Sequence, residues 1–258
     1  MLRRREIIQL FAAAASGFWA RRLLPAGVFR QEAAGGVLGN ASPGIRPVSQ
    51  ARPLDEPLLP LFPLRLVLFP HNHLALHIFE ERYKAMIHDC LQNQWEFGIL
   101  LAQGSSVEEI GCTASISEVL RTYADGRMDI LVRGERRFEV SLLNREKSYL
   151  RGEAKFFEDD ESEAPSERLR QQALQLYNRL IELLASDDPS SKPPSHSLSE
   201  EQLSFQIMAE LPAELASKQR LLELRSEQDR LDRVIRQLER LLDSLENIPS
   251  GRPPGGTA

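Results

Sequence analysis

Cysteine is nearly absent from this 258-residue chain, which carries only Cys90 and Cys112. Two thiols are too few for a disulfide scaffold, and the apolar neighbours of each predict buried free thiols. An excess of basic charge is also missing. The 32 Lys and Arg are outnumbered by 37 Asp and Glu, giving a net charge of -5 and a pI near 5.7. That balance supplies no global attraction to nucleic acid or anionic lipid, so nucleic-acid binding would need a local patch. No membrane span is predicted: the apolar run of residues 7–20 counts fourteen, against about 20 needed to cross a bilayer. Catalytic signatures are lacking too. There is no G-x-S-x-G elbow, no G-x-x-x-x-G-K-[ST] phosphate loop and no Cys/His pair at a recognisable spacing. The chain is therefore read as a non-enzyme without a cofactor.

What the chain does have is a composition of 42% hydrophobic and 27% charged residues, which reads as soluble and globular and suffices for one large domain or two small ones. Residues 1–55 form a leader and linker. Arg3-Arg4-Arg5 before the short apolar run resembles a twin-arginine export signal, and Gly, Pro, Ser and Ala dominate from Gly35 to Pro57. Cytoplasmic residence is the primary expectation, with export as the alternative.

Dense hydrophobicity begins abruptly at Leu58. Leu64 to Phe69 predicts a strand that is apolar on nearly both faces, with Pro60, Pro63 and Pro70 confined to its start, an edge and its exit. His71-Asn72 reads as a corner and Leu74 to Phe79 as a second strand. Tyr83, Met86, Ile87, Cys90 and Leu91 recur at helical spacing and predict one buried stripe. Phe97 to Leu101 reads as a strand, Gly104 to Glu109 as a polar loop, and Cys112 to Tyr123 as a strand with a bulge at Ser117-Glu118. Asp125-Gly126 predicts a type I′ hairpin. The return strand through Met128, Ile130 and Val132 is broken at Gly134, and strands at Phe138 to Leu142 and Leu150 to Phe157 follow. Six short strands with one packed helix argue for an α+β fold whose sheet, over residues 56–160, closes toward a barrel.

Residues 161–247 read as helical. Leu169, Ala173, Leu176, Leu180 and Leu184 stripe one helix. Ser199 and Gln202 suit a capping box for a second, whose stripe is Leu203, Ile207 and Leu211 before Pro212. Leu231, Val234, Ile235, Leu238, Leu241, Leu242 and Leu245 stripe the last, which needs an apolar neighbour, a coiled coil being the alternative to packing within the chain. Residues 248–258 predict a frayed tail.

Two clusters invite a functional reading. His71, His73 and His77 lie close in sequence, but a strand rise would separate His73 and His77 by about 13 Å, too far for one metal, so no metal site is assigned. Arg133, Arg136 and Arg137 form the tight basic cluster of the β part and are the candidate contacts for RNA, against an exposed strand edge charged to block aggregation.

Several motifs, in order, carry a resemblance. L-P-L-F-P-L-x-x-V-L-F-P opens at Leu59 and L-x-I-F-E-x-R-Y at Leu76. G-C-T-A-x-I follows at Gly111, D-G-R-x-x-I-L-V-x-G-x-x-R-F at Asp125, Y-L-R-G-E at Tyr149 and L-P-A-E-L-A-S-K-Q at Leu211. Together they resemble the N-terminal, substrate-binding domain of Lon proteases, which also occurs as a free-standing protein. The resemblance covers about Leu58 to about Leu245. It implies a PUA-like six-stranded pseudo-barrel followed by a C-terminal helical bundle, and it implies binding of unfolded or degron-bearing polypeptides, with an ATP-dependent protease as possible partner. A stand-alone member would lack the ATPase and peptidase domains. On this reading the opening stretch offers the candidate peptide-binding residues Leu64, Pro70, His71, Leu74 and Phe79; RNA binding through the PUA-like sheet is the alternative. A homodimer is left open.

Overall fold

Two strands of 17 residues organise the β part of the computed structural model, which describes residues 46–47, 58–160, 165–185, 198 and 202–246. The strands are β1 (Arg46–Pro47), β2 (Leu59–Leu64), β3 (His73–Ile78), β4 (Phe97–Gln103), β5 (Ser106–Thr122), β6 (Met128–Asn144) and β7 (Leu150–Phe156). Helix α1 spans Glu81–Asn93. After the sheet come α2 (Glu167–Ala185), α3 (Leu203–Glu210), α4 (Leu215–Glu223) and α5 (Glu227–Glu246). The expected α+β class, pseudo-barrel then helices, is what the chain forms.

Strand β6 pairs with β5 along one edge. Its other edge is shared, β3 taking Met128 to Arg133 and β7 taking Phe138 to Asn144. β5 continues to β4, β4 to β2 in parallel, and β2 back to β7, so the ladder closes on itself. β1 adds to β6 at Leu142 and Leu143. Closure removes most free edges. The predicted bulge is present as a register shift between Ile116 and Glu118, with two more at Cys112/Ala114 and Val119/Arg121.

Four local expectations are corrected. The first strand ends at Leu64 rather than beginning there, and Leu66 to Phe69 is irregular. Its prolines sit inside the strand because each falls where one ladder is absent: Pro60 precedes the β4 pairing and Pro63 lies beyond the β7 pairing. The loop predicted for Gly104 to Glu109 shrinks to Gly104-Ser105, with Gly104 at φ 61 between paired Gln103 and Ser106. The Asp125-Gly126 turn is not type I′, since only Gly126 has positive φ there. The Gly126 N–H donates to the Tyr123 carbonyl, as in a type I turn closed by a left-handed glycine.

Finally, Gly134 does not break β6. Its carbonyl accepts from His71 N–H at 2.7 Å and its N–H donates to the Asn72 carbonyl at 2.8 Å. A Cβ at this position would stand 2.2 Å from the Phe69 carbonyl oxygen. The glycine lets the Phe69–Asn72 corner dock on the edge of β6 between the segments paired to β3 and β7.

The barrel interior is filled by Leu61, Leu100, Val107, Phe138, Val140 and Leu143. A larger apolar core lies outside it. There Phe62 meets Tyr83 of α1 at 4.1 Å between ring centres, and Phe69 stacks on Phe205 of α3 at 5.2 Å. Tyr83, Met86, Ile87 and Cys90 are buried as the stripe predicts, but Leu91 is 40% exposed. Eight residues on from Tyr83, it lies roughly 80° around the helix axis and misses the sheet. All seven stripe residues of α5 are buried, packed against α2 and α3 of the same chain. Gln202 precedes α3 with φ 52 and makes no side-chain cap; Ser199, its expected partner in a capping box, lies outside the described residues. Residues 1–45 and 247–258, with the leader and tail expectations, also lie outside them.

Candidate polypeptide-binding surface

The opening corner is fastened on two sides. Gly134 holds its backbone, while Phe69 inserts toward the helical part and stacks on Phe205. Of the five residues expected to bind peptide, Leu64 is 1% exposed and Pro70 is buried, so both belong to the core and neither offers a surface. His71 is exposed with φ 63, and its Nδ1 lies 2.9 Å from an Arg133 guanidinium nitrogen. Leu74 and Phe79 are half-buried on and just after β3. The strand's apolar density, which suggested a sticky surface, is consumed by packing on both faces.

The basic cluster disperses in the same way. Arg137 is 3% exposed. It donates to the carbonyls of Leu222 at 3.1 Å and Leu224 at 2.6 Å and also pairs with Asp159. It therefore faces the helical part rather than solvent, and its reading as an RNA contact is withdrawn. Arg133 pairs with Glu135, and Arg136 pairs with Glu96 while lying 4.0 Å over the Phe156 ring. Each exposed arginine thus has a carboxylate partner, which lowers its value to a phosphate.

Asp159 is the centre of a clasp between barrel and helices. Arg230, 0% exposed, reaches its carboxylate through both terminal nitrogens at 2.7 and 2.5 Å, and also contacts Glu227 and the Ser204 hydroxyl. The Phe205 ring lies 4.4 Å beneath that guanidinium. Burial opposes the negative charge on Asp159, but the hydrogen bonds and charges of Arg230 and Arg137 outweigh it and hold the carboxyl below its usual range. The three histidines of the opening stretch do not converge. His77 Nδ1 meets Asp129 at 2.6 Å, with Tyr123 donating to the other carboxylate oxygen at 2.8 Å, while His71 faces Arg133. Cys90 and Cys112 are buried and free; burial pushes the Cys90 thiol up to about 12 and raises that of Cys112 as well.

Large apolar side chains are exposed elsewhere. Leu91 (40%) and Trp95 (42%) lie at the end of α1, Val119 (39%) on β5 and Phe156 (42%) at the end of β7. All four belong to the β part or its helix; among the described residues the helical part exposes none of comparable size. Trp95 is placed by the end of α1, where Gln94 adopts a left-handed conformation and the Trp95 N–H closes on the Cys90 carbonyl at 3.0 Å. Trp95 sits in no periodic run that assigns a face, and Phe156, in phase with Leu150 and Ala154 along β7, shares the apolar side of its strand by sequence and is nonetheless left exposed.

This architecture has known counterparts. The family model described as the ATP-dependent protease La (LON) substrate-binding domain matches residues 58–240. The chain belongs to that family. It is 25% identical over 199 residues to the Lon protease of Escherichia coli K12, covering 73% of this chain and 25% of that one. With Lon protease 1 of Hydrogenovibrio crunogenus it shares 30% identity over 143 residues, 54% of this chain and 17% of the relative. The chain thus spans about a quarter of the length of the curated Lon proteases first matched. A crystal structure of a Lon N-terminal domain protein from Xanthomonas campestris superposes with a TM-score of 0.53 at 26% identity, covering 72% of this chain and 98% of that one. The N-terminal domain of a Mycobacterium avium complex Lon protease, at TM-score 0.55 and 17% identity over 70% and 97% of the two chains, shares the fold. Membership of the Lon substrate-binding family accounts for the barrel-then-helices order. No helix among the described residues is long and apolar enough to cross a membrane.

Proposed function

We propose that this chain binds unfolded or degron-bearing polypeptides through the apolar surface of its β part and serves as a substrate adaptor for an ATP-dependent protease. The observation that carries the reading is the match to a substrate-binding domain together with the placement of the exposed large apolar side chains. Leu91, Trp95, Val119 and Phe156 all lie on the barrel or α1. An unfolded client differs from a folded protein chiefly in its accessible apolar side chains, and exposed aromatics on a rigid frame are suited to them. His71, Leu74 and Phe79 remain as further contacts on the neighbouring strand; Leu64 and Pro70 contribute by holding the corner in place.

Fluorescence anisotropy with labelled, chemically unfolded casein tests this. Saturable binding is expected, with Trp95→Ala and Leu91→Ala each weakening it by about 5- to 30-fold, as for a buried interface anchor. Absence of saturable binding by the wild type ends the polypeptide reading. Wild-type binding that both variants leave unchanged ends the assignment to this surface. RNA binding loses support with the burial of Arg137. A gel shift abolished by Arg133→Ala and Arg136→Ala would restore it.

A further inference from the structure

The exposed apolar side chains at the ends of α1 and β7 are drawn together by one ion pair. Arg136 meets Glu96, the residue after Trp95, at 3.2 Å and lies 4.0 Å over the Phe156 ring. Leu91 is in the last turn of α1, just before Trp95. Glu153 and Glu158, exposed and in no ion pair among the described residues, flank Phe156 along the chain, with Lys155 the exposed cation between them.

The same chain carries a segment of matching chemistry. Residues 7–20 hold Ile7, Ile8, Leu10, Phe11, Phe18 and Trp19, with Arg3-Arg4-Arg5 before them and Arg21-Arg22 after. Such a run offers the accessible apolar side chains of an unfolded client, and its basic flanks suit the carboxylates beside Phe156. Arg46, the first described residue, pairs with Leu142 on one edge of β6, while Phe156 pairs with Phe138 on the other. The steps along β6 and across two strand spacings separate them by roughly 15–20 Å. Between the run and Arg46 lie the 25 residues 21–45, rich in Gly. On Gly-rich chain statistics a tether of that length has an r.m.s. reach of about 25–30 Å, enough to span the gap.

We propose that residues 7–20 of this chain occupy the Leu91–Trp95–Phe156 surface as a tethered pseudo-client, so that a polypeptide binds there only by displacing them. The inference rests on that surface being the polypeptide-binding one. A tether of matched reach holds its end at an effective concentration on the order of 1 mM. A run with an intrinsic Kd of about 0.1 mM is then seated roughly nine-tenths of the time and weakens client binding about tenfold.

Two measurements on the full chain test it. With Phe18→p-benzoylphenylalanine, irradiation is expected to crosslink the run to peptides carrying Trp95 or Phe156, in a yield that does not change on dilution. Absence of crosslinks at this surface overturns the assignment, and a yield that falls on dilution overturns it in favour of a second copy. In the casein anisotropy assay, Leu10→Ser/Phe11→Ser/Phe18→Ser/Trp19→Ser is expected to bind about tenfold more tightly than the wild type. Casein bound with equal affinity by both proteins overturns the pseudo-client role and leaves the polypeptide reading standing; casein bound by neither ends both.

Discussion

Lys218, whose Nζ donates to the Ala209 carbonyl at 3.2 Å, is a site where desolvation links stability and pH. Its folded pKa, about 8, lies below the ordinary value near 10.4. The folded state therefore penalises the ammonium form fully below pH 8, and the penalty is relieved between pH 8 and about 10.4. Lys218→Met should stabilise the chain at pH 7 by on the order of 2 kcal/mol, with the gain fading across that window. Denaturation midpoints at pH 7 and pH 10 check it. Gly134 is the opposite kind of residue. Gly134→Ala places a methyl against the Phe69 backbone oxygen, which no rotamer can avoid, and should cost about 2–4 kcal/mol in chemical denaturation. Sequence marked Gly134 only as a strand breaker, because a missing side chain looks the same whether the backbone turns there or another backbone approaches.

Among the elements, helices were the more legible. The seven-residue stripe of α5 is buried as spaced, and its neighbours are α2 and α3 rather than a second chain. Leu238, at 0% exposure, should cost about 2–5 kcal/mol when cut to alanine, read from the shift in urea midpoint at constant slope. Strands were harder. Leu59 to Phe69 is apolar but for Arg65, so periodicity could not say where β2 stops, and its prolines argued against the strand that actually contains them. Only the staggered ladders of β4 and β7 make Pro60 and Pro63 admissible. Leu91 fits the α1 stripe by spacing, but it lies at the rim of the buried face and is left exposed.

At the scale of the whole molecule, barrel and helices are joined by the Asp159 clasp, the Phe69–Phe205 stack and the Gln219 amide donating to the Ile110 carbonyl at 2.9 Å. Asp159→Ala leaves Arg137 and Arg230 buried without a shared carboxylate and should cost about 3–5 kcal/mol. Because the folded Asp159 carboxyl is held low, its contribution is present above the ordinary value near 3.9 and is lost as pH falls through the folded value. The variant's acid-unfolding profile should therefore lose part of the wild-type steepness below about pH 4. Residence is also a property of the whole chain. Cytoplasmic fractionation is expected, and a periplasmic pool that disappears in Arg4→Lys/Arg5→Lys would establish export instead.

The sequence by itself determined the α+β class, the order of barrel and helices and the buried faces of α1, α3 and α5, because these follow from local periodicity and from motifs in a fixed order. It also pointed to the family, whose model matches residues 58–240. The binding face was decided only by tertiary structure. Exposure is what remains after long-range packing: the apolar opening strand was drawn into the core, Arg137 was turned toward Asp159, and Trp95, Leu91 and Phe156 were left at the surface. No residue's spacing along the chain records which of its neighbours will be covered from the far side.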